Sequence, residues 1–367
     1  MENFDAIIVG GSFAGLSVAS RMRGNILLID KKKIGTNQTS ACCTILSVIK
    51  NLGCQDSILQ ELDTIILHTD WGDLTFKLPI PFCTFDYQKL SQGMAKKIDA
   101  KIIKAQVLGR EGKRVITDKG KFQSECIVDA SGWKAHLIKD RDKDFVKKKC
   151  LSFAIETTLD YKAENLHFWI TPELVRKGVG WLFPCGESSR FGVGSYEGVT
   201  DLNKKLDLFL SKFELNIDSV HPVRSNPPPS GSDASSGKER RTGTSNGVHG
   251  GFFPHQLREP VIDGIFLVGD SAGQCMALSG EGIREAIHFG QVCGGLIHKV
   301  IERKLPLEQA QRMYRDHVLK YRKAFNIMLK FQSILINLPN FWLTQVLRLL
   351  SKDIIFRPVM LKYETIM

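Results

Sequence analysis

The chain has 367 residues, 43% of them hydrophobic and 24% charged, which is the composition of a globular protein long enough for two domains. Its formal net charge is +11, and residues 299–367 contribute +8 of this, with 13 Lys/Arg against 5 Asp/Glu. Such charge suits nucleic acid, an anionic membrane surface or an acidic substrate. The segment has no motif of a nucleic-acid-binding module, so we exclude nucleic acid and favour the membrane surface.

The sequence carries no signal for export, membrane spanning or metal binding. Residues 1–5 lead into an apolar run without a basic n-region or a cleavage site. The longest apolar segment, 333–350, is interrupted by polar residues and a proline, so it does not span a bilayer. The nine cysteines show no CxxC and no Cys/His spacing. We expect a cytoplasmic protein, free or peripheral on the inner face of the membrane, with reduced thiols and no metal site.

The first 30 residues predict a strand, a turn, a helix and a second strand. A β-branched apolar run at 5–10 ends in glycine, residues 15–22 have helical spacing, and 26–30 is a second apolar run. Three further elements are predicted before residue 135: a helix at 84–97, a strand that contains Val107 and a strand at 127–132.

The middle of the chain predicts a sheet-rich domain. Short β-rich runs typical of an antiparallel sheet lie at 151–158, 166–170, 181–184 and 190–196, and a helical pattern lies at 201–213. Residues 225–247 contain one hydrophobic residue, Ala234, and cannot bury enough apolar surface to offset the entropy of ordering. We predict a mobile loop there, either a plain insertion or an active-site lid.

The last third predicts one more strand followed by helices. The strand at 264–270 ends in Gly-Asp, and a helix rich in small residues follows at 280–300. A charged helix is predicted over about 307–331, and a final apolar and basic stretch is also helical.

The glycine-rich turn at 10–15 resembles a dinucleotide-binding fingerprint. Gly10 takes the place of the tight turn and Gly15 the place where helix packs on strand, while Ser12 replaces the middle glycine. We expect the helix amides to face a pyrophosphate, and Asp30 at the end of the second strand is placed to accept hydrogen bonds from a ribose. An acid at this position disfavours the 2′-phosphate of NADPH.

A second glycine-rich stretch about 250 residues later favours FAD over NAD. FAD is long and needs a second contact on the same domain, and Asp270 directly after a strand is suited to its ribityl hydroxyls. The turn into a helix at 280–284 offers amides and a positive dipole to the pyrimidine edge of a reduced flavin.

Together these motifs resemble the geranylgeranyl reductases, a branch of the flavoproteins related to p-hydroxybenzoate hydroxylase. The resemblance covers most of residues 1–300. It implies FAD contacts at the matching positions, which are Ala14, Asp30, Cys42 or Cys43, Val107, Asp270, Gly282 and Ile283. It also implies a cysteine near the flavin that orients substrate or supplies a proton. The alternative is that both cysteines are simply small buried hydrophobic residues. The sequence does not show which of Cys42 and Cys43 faces the flavin.

The family also has a substrate motif of the form aromatic-x-Trp-x-Phe-Pro followed by Gly-x-Gly. The matching residues here are Trp181, Phe183, Pro184, Gly192 and Gly194, with Val179 in place of the aromatic residue. Trp181 and Phe183 are two apart on a strand and share one face, which suits an apolar tunnel over the flavin or a packed sheet core.

We therefore predict an α/β (α+β) fold, in which a Rossmann-like FAD-binding domain is interleaved with an antiparallel β-sheet substrate domain and followed by a helical C-terminus. The predicted ranges are 1–65, 85–135 and 255–300 for the FAD-binding domain, 66–84 and 136–254 for the substrate domain, and 301–367 for the C-terminal helical region. Aromatic and basic residues within 324–362 suit either peripheral contact with a membrane or a helical cap on the substrate domain.

The resemblance implies an FAD-dependent oxidoreductase that reduces C=C double bonds of an isoprenoid chain on a lipid or quinone. NAD(P)H or a ferredoxin-like carrier is the expected electron donor. The alternative is a flavin-dependent monooxygenase or halogenase acting on an aromatic substrate, since the fold is shared and does not fix function. A flavin-bound protein without redox turnover is a third hypothesis.

Overall fold

The computed structural model describes residues 2–138, 151–215 and 247–365. Residues 225–246 of the predicted mobile loop lie outside these ranges. Within the described ranges the strands are β1 Glu2–Asn3, β2 Ala6–Val9, β3 Ile26–Asp30, β4 Cys43–Ile45, β5 Ile58–Thr69, β6 Gly72–Phe85, β7 Lys101–Lys104, β8 Val107–Glu111, β9 Arg114–Thr117, β10 Gly120–Gln123, β11 Cys126–Asp129, β12 Leu151–Leu159, β13 Leu166–Ile170, β14 Gly178–Cys185, β15 Ser188–Ser195, β16 His249–Pro254, β17 Val261–Ile262 and β18 Ile265–Leu267. The helices are α1 Phe13–Ala19, α2 Leu46–Asn51, α3 Tyr87–Ala95, α4 Asn203–Ser211, α5 Ile283–Ile301, α6 Leu307–Leu319, α7 Arg322–Leu335, α8 Asn340–Leu350 and α9 Asp353–Thr365.

A six-stranded, mostly parallel sheet forms the centre of the predicted dinucleotide-binding domain. Its strand order is β17-β18-β11-β2-β3-β7, and every neighbouring pair except β17 and β18 is parallel. The central strands β2, β3 and β11 are buried and carry continuous apolar runs, as parallel strands covered on both faces require. Their carboxyl ends therefore meet at one edge, where ligands of such sheets bind.

A long eight-stranded sheet, in the order β16-β12-β15-β14-β13-β5-β6-β4, forms the second layer. It is antiparallel except where β13 pairs with β5. The predicted boundary at residue 65 differs from this structure, because β5 pairs with β6 along a hairpin from Ile58 to Phe85 and so belongs entirely to the second sheet. Residues 43–45 also join this sheet through β4.

The C-terminal helices cover one face of the eight-stranded sheet. Leu335 of α7 and Leu343 and Leu347 of α8 are buried against the β5–β6 hairpin, where they contact a group that includes Leu67 and Phe76. The charged helix predicted at 307–331 is two helices, α6 and α7. With a parallel sheet, a second sheet and a helical C-terminus, the predicted fold class is confirmed.

No helix within the described ranges is both long enough and apolar enough to cross a membrane.

Candidate functional site

The first glycine turn lies at the carboxyl end of β2. Gly10 has a φ of +108°, and a Cβ atom on Gly15 would lie 1.8 Å from the Gly10 carbonyl oxygen. Only glycine at position 15 lets α1 approach the strand this closely. Ser12 is the residue before α1, and its hydroxyl lies 3.5 Å from the Tyr87 hydroxyl.

Asp30 fixes the shape of this turn. Its Oδ2 accepts a hydrogen bond from the Gly11 amide at 2.6 Å, and its Oδ1 accepts one from the Lys32 amide at 2.7 Å. The Asp30 carbonyl accepts a further bond from the Ala105 amide, two residues before Val107 at the start of β8. The carboxylate thus holds the turn in place, and its predicted contact with a ribose would use its remaining acceptor capacity.

The second glycine turn follows β18 and carries Asp270. No described residue donates a hydrogen bond to the Asp270 carboxylate, and burial raises its pKa to about 6. The turn itself is anchored, because Ser271 donates to the Asp129 carboxylate at 3.0 Å. A half-buried carboxylate without a donor, on an anchored turn, is suited to accept hydrogen bonds from a bound ligand.

The two glycine turns lie side by side. A Cβ atom on Gly269 would be 2.9 Å from the Cβ of Ala14, and α1 packs along α5. Gly282 and Ile283 stand at the start of α5, where Gly282 lies against Cys275. The structure therefore brings the residues predicted for the two ends of one nucleotide onto a single domain.

The two cysteines after β3 point to different environments. Cys42 is fully buried in the core beneath α1, has a φ of +51°, and donates its thiol to the Ser40 carbonyl at 3.3 Å. Cys43 begins β4, is half-buried, and packs with the cluster that contains Trp181 and Phe183. Burial raises the pKa of Cys42 to about 12 and that of Cys43 well above its ordinary value, so both thiols stay protonated.

The predicted substrate residues form an apolar face on β14 and β15. Trp181 and Phe183 lie side by side with ring centroids 6.0 Å apart, and Phe356 and Met360 of α9 pack against the same cluster. Gly192 and Gly194 lie beneath the Trp181 indole, and a Cβ on Gly192 would be 2.1 Å from the ring. The glycine pair thus makes room for the indole.

Pro184 ends this face and ties it to the neighbouring strand. The residue is buried within β14, and its carbonyl accepts a hydrogen bond from the Thr84 hydroxyl of β6. Thr84 pairs with Cys43 across β4 and β6. Pro184 therefore helps to set the position of Cys43 relative to the aromatic residues.

A link between the sheets brings the cysteine strand to the second glycine turn. Thr44, the residue after Cys43, donates its hydroxyl to Glu281 at 3.3 Å, and Glu281 directly precedes Gly282. Cys43, the start of α5 and the Trp181 face therefore converge in one region, as the sequence predicts for a site over a flavin.

Sequence reasoning missed two buried charged residues behind this face. Glu156 accepts hydrogen bonds from the Trp181 indole at 3.1 Å and from His249 at 2.9 Å. Arg190 donates to the carbonyls of Ala41, Cys42 and Phe85, and so fixes the cysteine loop to the sheet. The available signal was a charged side chain inside a predicted apolar strand, because such a charge is buried only when it is paired.

A third unpredicted cluster ties the last helix to the start of α5. The Tyr363 hydroxyl donates to Glu281, the Arg284 guanidinium donates to the Tyr363 carbonyl at 2.8 Å, and it stacks over the Tyr363 ring. Glu285 beside it is fully buried, and burial raises its pKa well above the ordinary value.

No protein-family model matches the chain. Among curated relatives, the chain is 25% identical over 91% of its length to a digeranylgeranylglycerophospholipid reductase of Methanococcus vannielii, of which the match covers 87%. It is 23% identical over 58% of its length to the enzyme of the same name from Methanocaldococcus jannaschii. The chain spans about half the length of that relative and of several others.

Solved structures with a similar fold include a geranylgeranyl bacteriochlorophyll reductase-like protein from Thermoplasma acidophilum. Its TM-score is 0.76 at 18% identity, over 96% of this chain and 92% of that one. A probable FAD-dependent monooxygenase from Pseudomonas aeruginosa has a TM-score of 0.62 at 14% identity, over 91% of this chain and 96% of that one.

The chain has the same fold as these solved structures, which include an FAD-dependent enzyme.

The curated relatives and the solved structures confirm the resemblance to geranylgeranyl reductases, and they confirm the fold expected of an FAD-dependent oxidoreductase. Solved structures with this fold also include a flavin-dependent brominase with a TM-score of 0.58 at 14% identity, over 99% of both chains. An oxidoreductase of this fold can therefore carry out more than one reaction, and the roles of individual residues stay predictions.

Proposed function

We propose that this oxidoreductase binds FAD and reduces C=C double bonds in an isoprenoid chain carried by a lipid or quinone. The observation that supports this most is the apolar face of Trp181 and Phe183, roofed by Phe356, beside Cys43 and the start of α5. Apolar and aromatic side chains of this kind suit contact with an apolar chain. The names of the archaeal relatives support the same substrate class.

The described residues fit FAD. The carboxylate of Asp270 has no described donor, and the two glycine turns meet at one edge of a parallel sheet. Asp30, Ala14 and the residues around Ser12 would hold the adenosine and pyrophosphate, and Val107 the adenine. Asp270, Gly282 and Ile283 would hold the ribityl chain and the ring.

FAD held by these residues would, once reduced, supply hydride chemistry to one alkene carbon, while the protein would deliver a proton to the other carbon. The electrons come from a nicotinamide or a ferredoxin-like carrier, whose oxidation balances the reduction of the alkene. The protein's part is to hold the alkene in place and keep water out. The Trp181 indole is held in place by its hydrogen bond to Glu156 and by close packing on Gly192.

We assign the proton-donating role to Cys43 and not to Cys42. The Cys42 thiol is directed into the core and is bonded to Ser40. The Cys43 thiol belongs to the Trp181 cluster, and burial keeps it protonated. A neutral thiol is able to give a proton when negative charge develops on a neighbouring carbon.

Lipid mass spectrometry tests the reaction. A host that makes unsaturated prenyl lipids should gain products heavier by two hydrogens per reduced bond when this protein is present. The matched control is the Asp270→Ala variant, which should leave the lipids unchanged. Products that gain oxygen instead of hydrogen would replace the reductase proposal with a monooxygenase.

Replacing Cys43 with alanine should lower kcat on the order of a hundredfold, because positioned general acids contribute about that much or more. FAD content and KM should change little, since Asp30 and Asp270 are the residues expected to bind the nucleotide by hydrogen bonds and the Cys43 side chain is a small part of the apolar face. Cys42→Ala is the control, and should lose some thermal stability while keeping its turnover. If both variants turn over like the unaltered protein, neither thiol supplies the proton.

A second candidate is a flavin-dependent monooxygenase or halogenase acting on an aromatic substrate. It is favoured by the solved structures of similar fold, which include a monooxygenase and a brominase. NAD(P)H oxidation stimulated by an aromatic compound, with oxygen consumption and a hydroxylated product, is the result that distinguishes it. A redox-neutral flavoprotein would show no substrate-dependent reoxidation of reduced flavin.

A further inference from the structure

The outer face of the C-terminal helices carries large apolar side chains that no described residue covers. On α7, Lys323, Ile327, Lys330 and Ile334 are all exposed and follow one another at helical spacing, so they form a single stripe. Isoleucines in this stripe are more than half exposed. An exposed apolar stripe of this kind marks an interaction site more often than a plain surface.

Exposed aromatic side chains are also found on α8 and at the tip of the β5–β6 hairpin. Trp342 of α8 is 59% exposed, and Phe341 beside it contacts Trp71 at the tip of the β5–β6 hairpin, with ring centroids 5.4 Å apart. Trp71 itself is 56% exposed, and Arg348 donates to its carbonyl. Tryptophan is typical of the interface between membrane and water, because one end of its ring is polar and the rest is apolar.

The charge of the same helices is strongly positive. Residues 322–362 hold seven Lys/Arg and one acidic residue, Asp353. Lys323, Lys330 and Lys352 make no ion pair with any described residue. Apolar and aromatic groups interleaved with unpaired lysines complement the headgroups and outer acyl region of an anionic bilayer.

The inner face of these helices packs on the eight-stranded sheet, which leaves the outer face available for contact with a membrane. Leu335, Leu343 and Leu347 point inward and pack against the sheet, so the helices do not need their outer residues for folding. An ordinary surface helix has a single apolar face. Helices α7 and α8 have apolar residues on both their inner and outer faces. The sheet covers the inner face, so the outer face indicates a further binding partner outside the described residues.

We propose that the outer surface formed by Trp71, Ile327, Ile334, Phe341 and Trp342, with Lys323, Lys330 and Lys352, docks the protein onto an anionic lipid bilayer. The contact is interfacial: the aromatic and aliphatic groups enter the headgroup region while the lysines stay at the lipid phosphates. The proposal rests on exposure and charge alone, so its failure would leave the proposed reductase activity standing.

Vesicle flotation with the full chain tests this surface. Phosphatidylcholine vesicles with added phosphatidylglycerol should carry the protein to the top of the gradient, and phosphatidylcholine alone should carry much less. The variant Lys323→Gln/Lys330→Gln/Lys352→Gln should bind the anionic vesicles on the order of a hundredfold more weakly, because each lysine near such a surface contributes about a factor of five. Raising the salt concentration should weaken binding of the unaltered protein in the same direction.

Three exposed lysines elsewhere provide the matched control. The variant Lys96→Gln/Lys119→Gln/Lys204→Gln has the same change in net charge at positions off these helices, and should bind like the unaltered protein. The variant Trp71→Ser/Trp342→Ser should lose the binding that survives high salt. Equal binding by the two lysine variants would overturn the proposal. So would a stable dimer that Trp342→Ser dissociates, because the surface would then be covered by a second copy of the chain.

Discussion

Purified protein with Asp270 replaced by alanine should come out colourless, whereas the unaltered protein should be yellow with bound FAD. The Asp270 carboxylate has no described donor, so it is free to accept ribityl hydroxyls as charge-assisted hydrogen bonds. Losing two such bonds costs about 3–5 kcal/mol, which lowers the affinity for FAD by a few hundredfold or more. Flavin absorbance after gel filtration and titration of the apoprotein with FAD measure this effect.

The same carboxylate predicts a pH dependence. Burial raises the pKa of Asp270 from 3.8 to about 6, so the apoprotein disfavours the charged form. Its stability should fall as pH rises from about 4 to 6, and the penalty should persist above that range at about 3 kcal/mol or less. FAD needs the ionised acceptor, so its affinity should rise over the same interval.

Asp270→Asn separates these two effects. The amide removes the buried charge, so above pH 6 the apoprotein should melt at a higher temperature while FAD binds more weakly. Asp207→Ala, at an exposed position on α4, is the control and should change neither quantity. Retained yellow colour and unchanged affinity in Asp270→Ala would show that the ribityl chain is bound elsewhere.

Replacing Gly192 with alanine should abolish most of the turnover while leaving FAD bound. The new Cβ would lie 2.1 Å from the Trp181 indole, so the ring must move and its hydrogen bond to Glu156 must lengthen or break. Overpacking of this kind costs about 1–3 kcal/mol of stability. A misplaced substrate wall should reduce kcat/KM on the order of a hundredfold.

Gly251→Ala is the matched control in the same sheet. Gly251 lies on β16, where a Cβ atom would meet nothing within 4 Å. This variant should keep its melting temperature, its FAD and its turnover. Unchanged product yield in Gly192→Ala would mean that Trp181 does not form part of the substrate surface. Loss of FAD in the same variant would instead indicate general unfolding.

Local sequence signals predicted the parallel-sheet half of the fold well. The run from Ala6 to Asp30 contains a strand, a glycine turn, a helix and a strand, and each part depends on near neighbours. The pairing of this unit with β18 and α5 was also predictable, because a long nucleotide requires a second contact. The meeting of Ala14 and Gly269 follows from that requirement.

Contacts that depend on distant residues were not predictable from patterns. The hairpin Ile58–Phe85 crosses the boundary predicted at residue 65, because its register is set by cross-strand pairing and not by composition. Cys42 and Cys43 are adjacent, and only the positive φ at Cys42 and the strand start at Cys43 send them in different directions. Glu156 and Arg190 are understood only once their partners Trp181 and the Cys42 carbonyl are in place.

The contact of Tyr363 with Arg284 and Glu281 has a consequence for biosynthesis. The strand and helix of the first glycine turn leave the ribosome before their partner helix α5, which starts at residue 283. The first turn of α5 is completed by a tyrosine 80 residues later. During synthesis the first glycine turn therefore stays uncovered until α5 has been made. For the proposed FAD site we therefore expect cofactor binding late in synthesis, and a nascent chain stalled before α9 should be recovered without flavin.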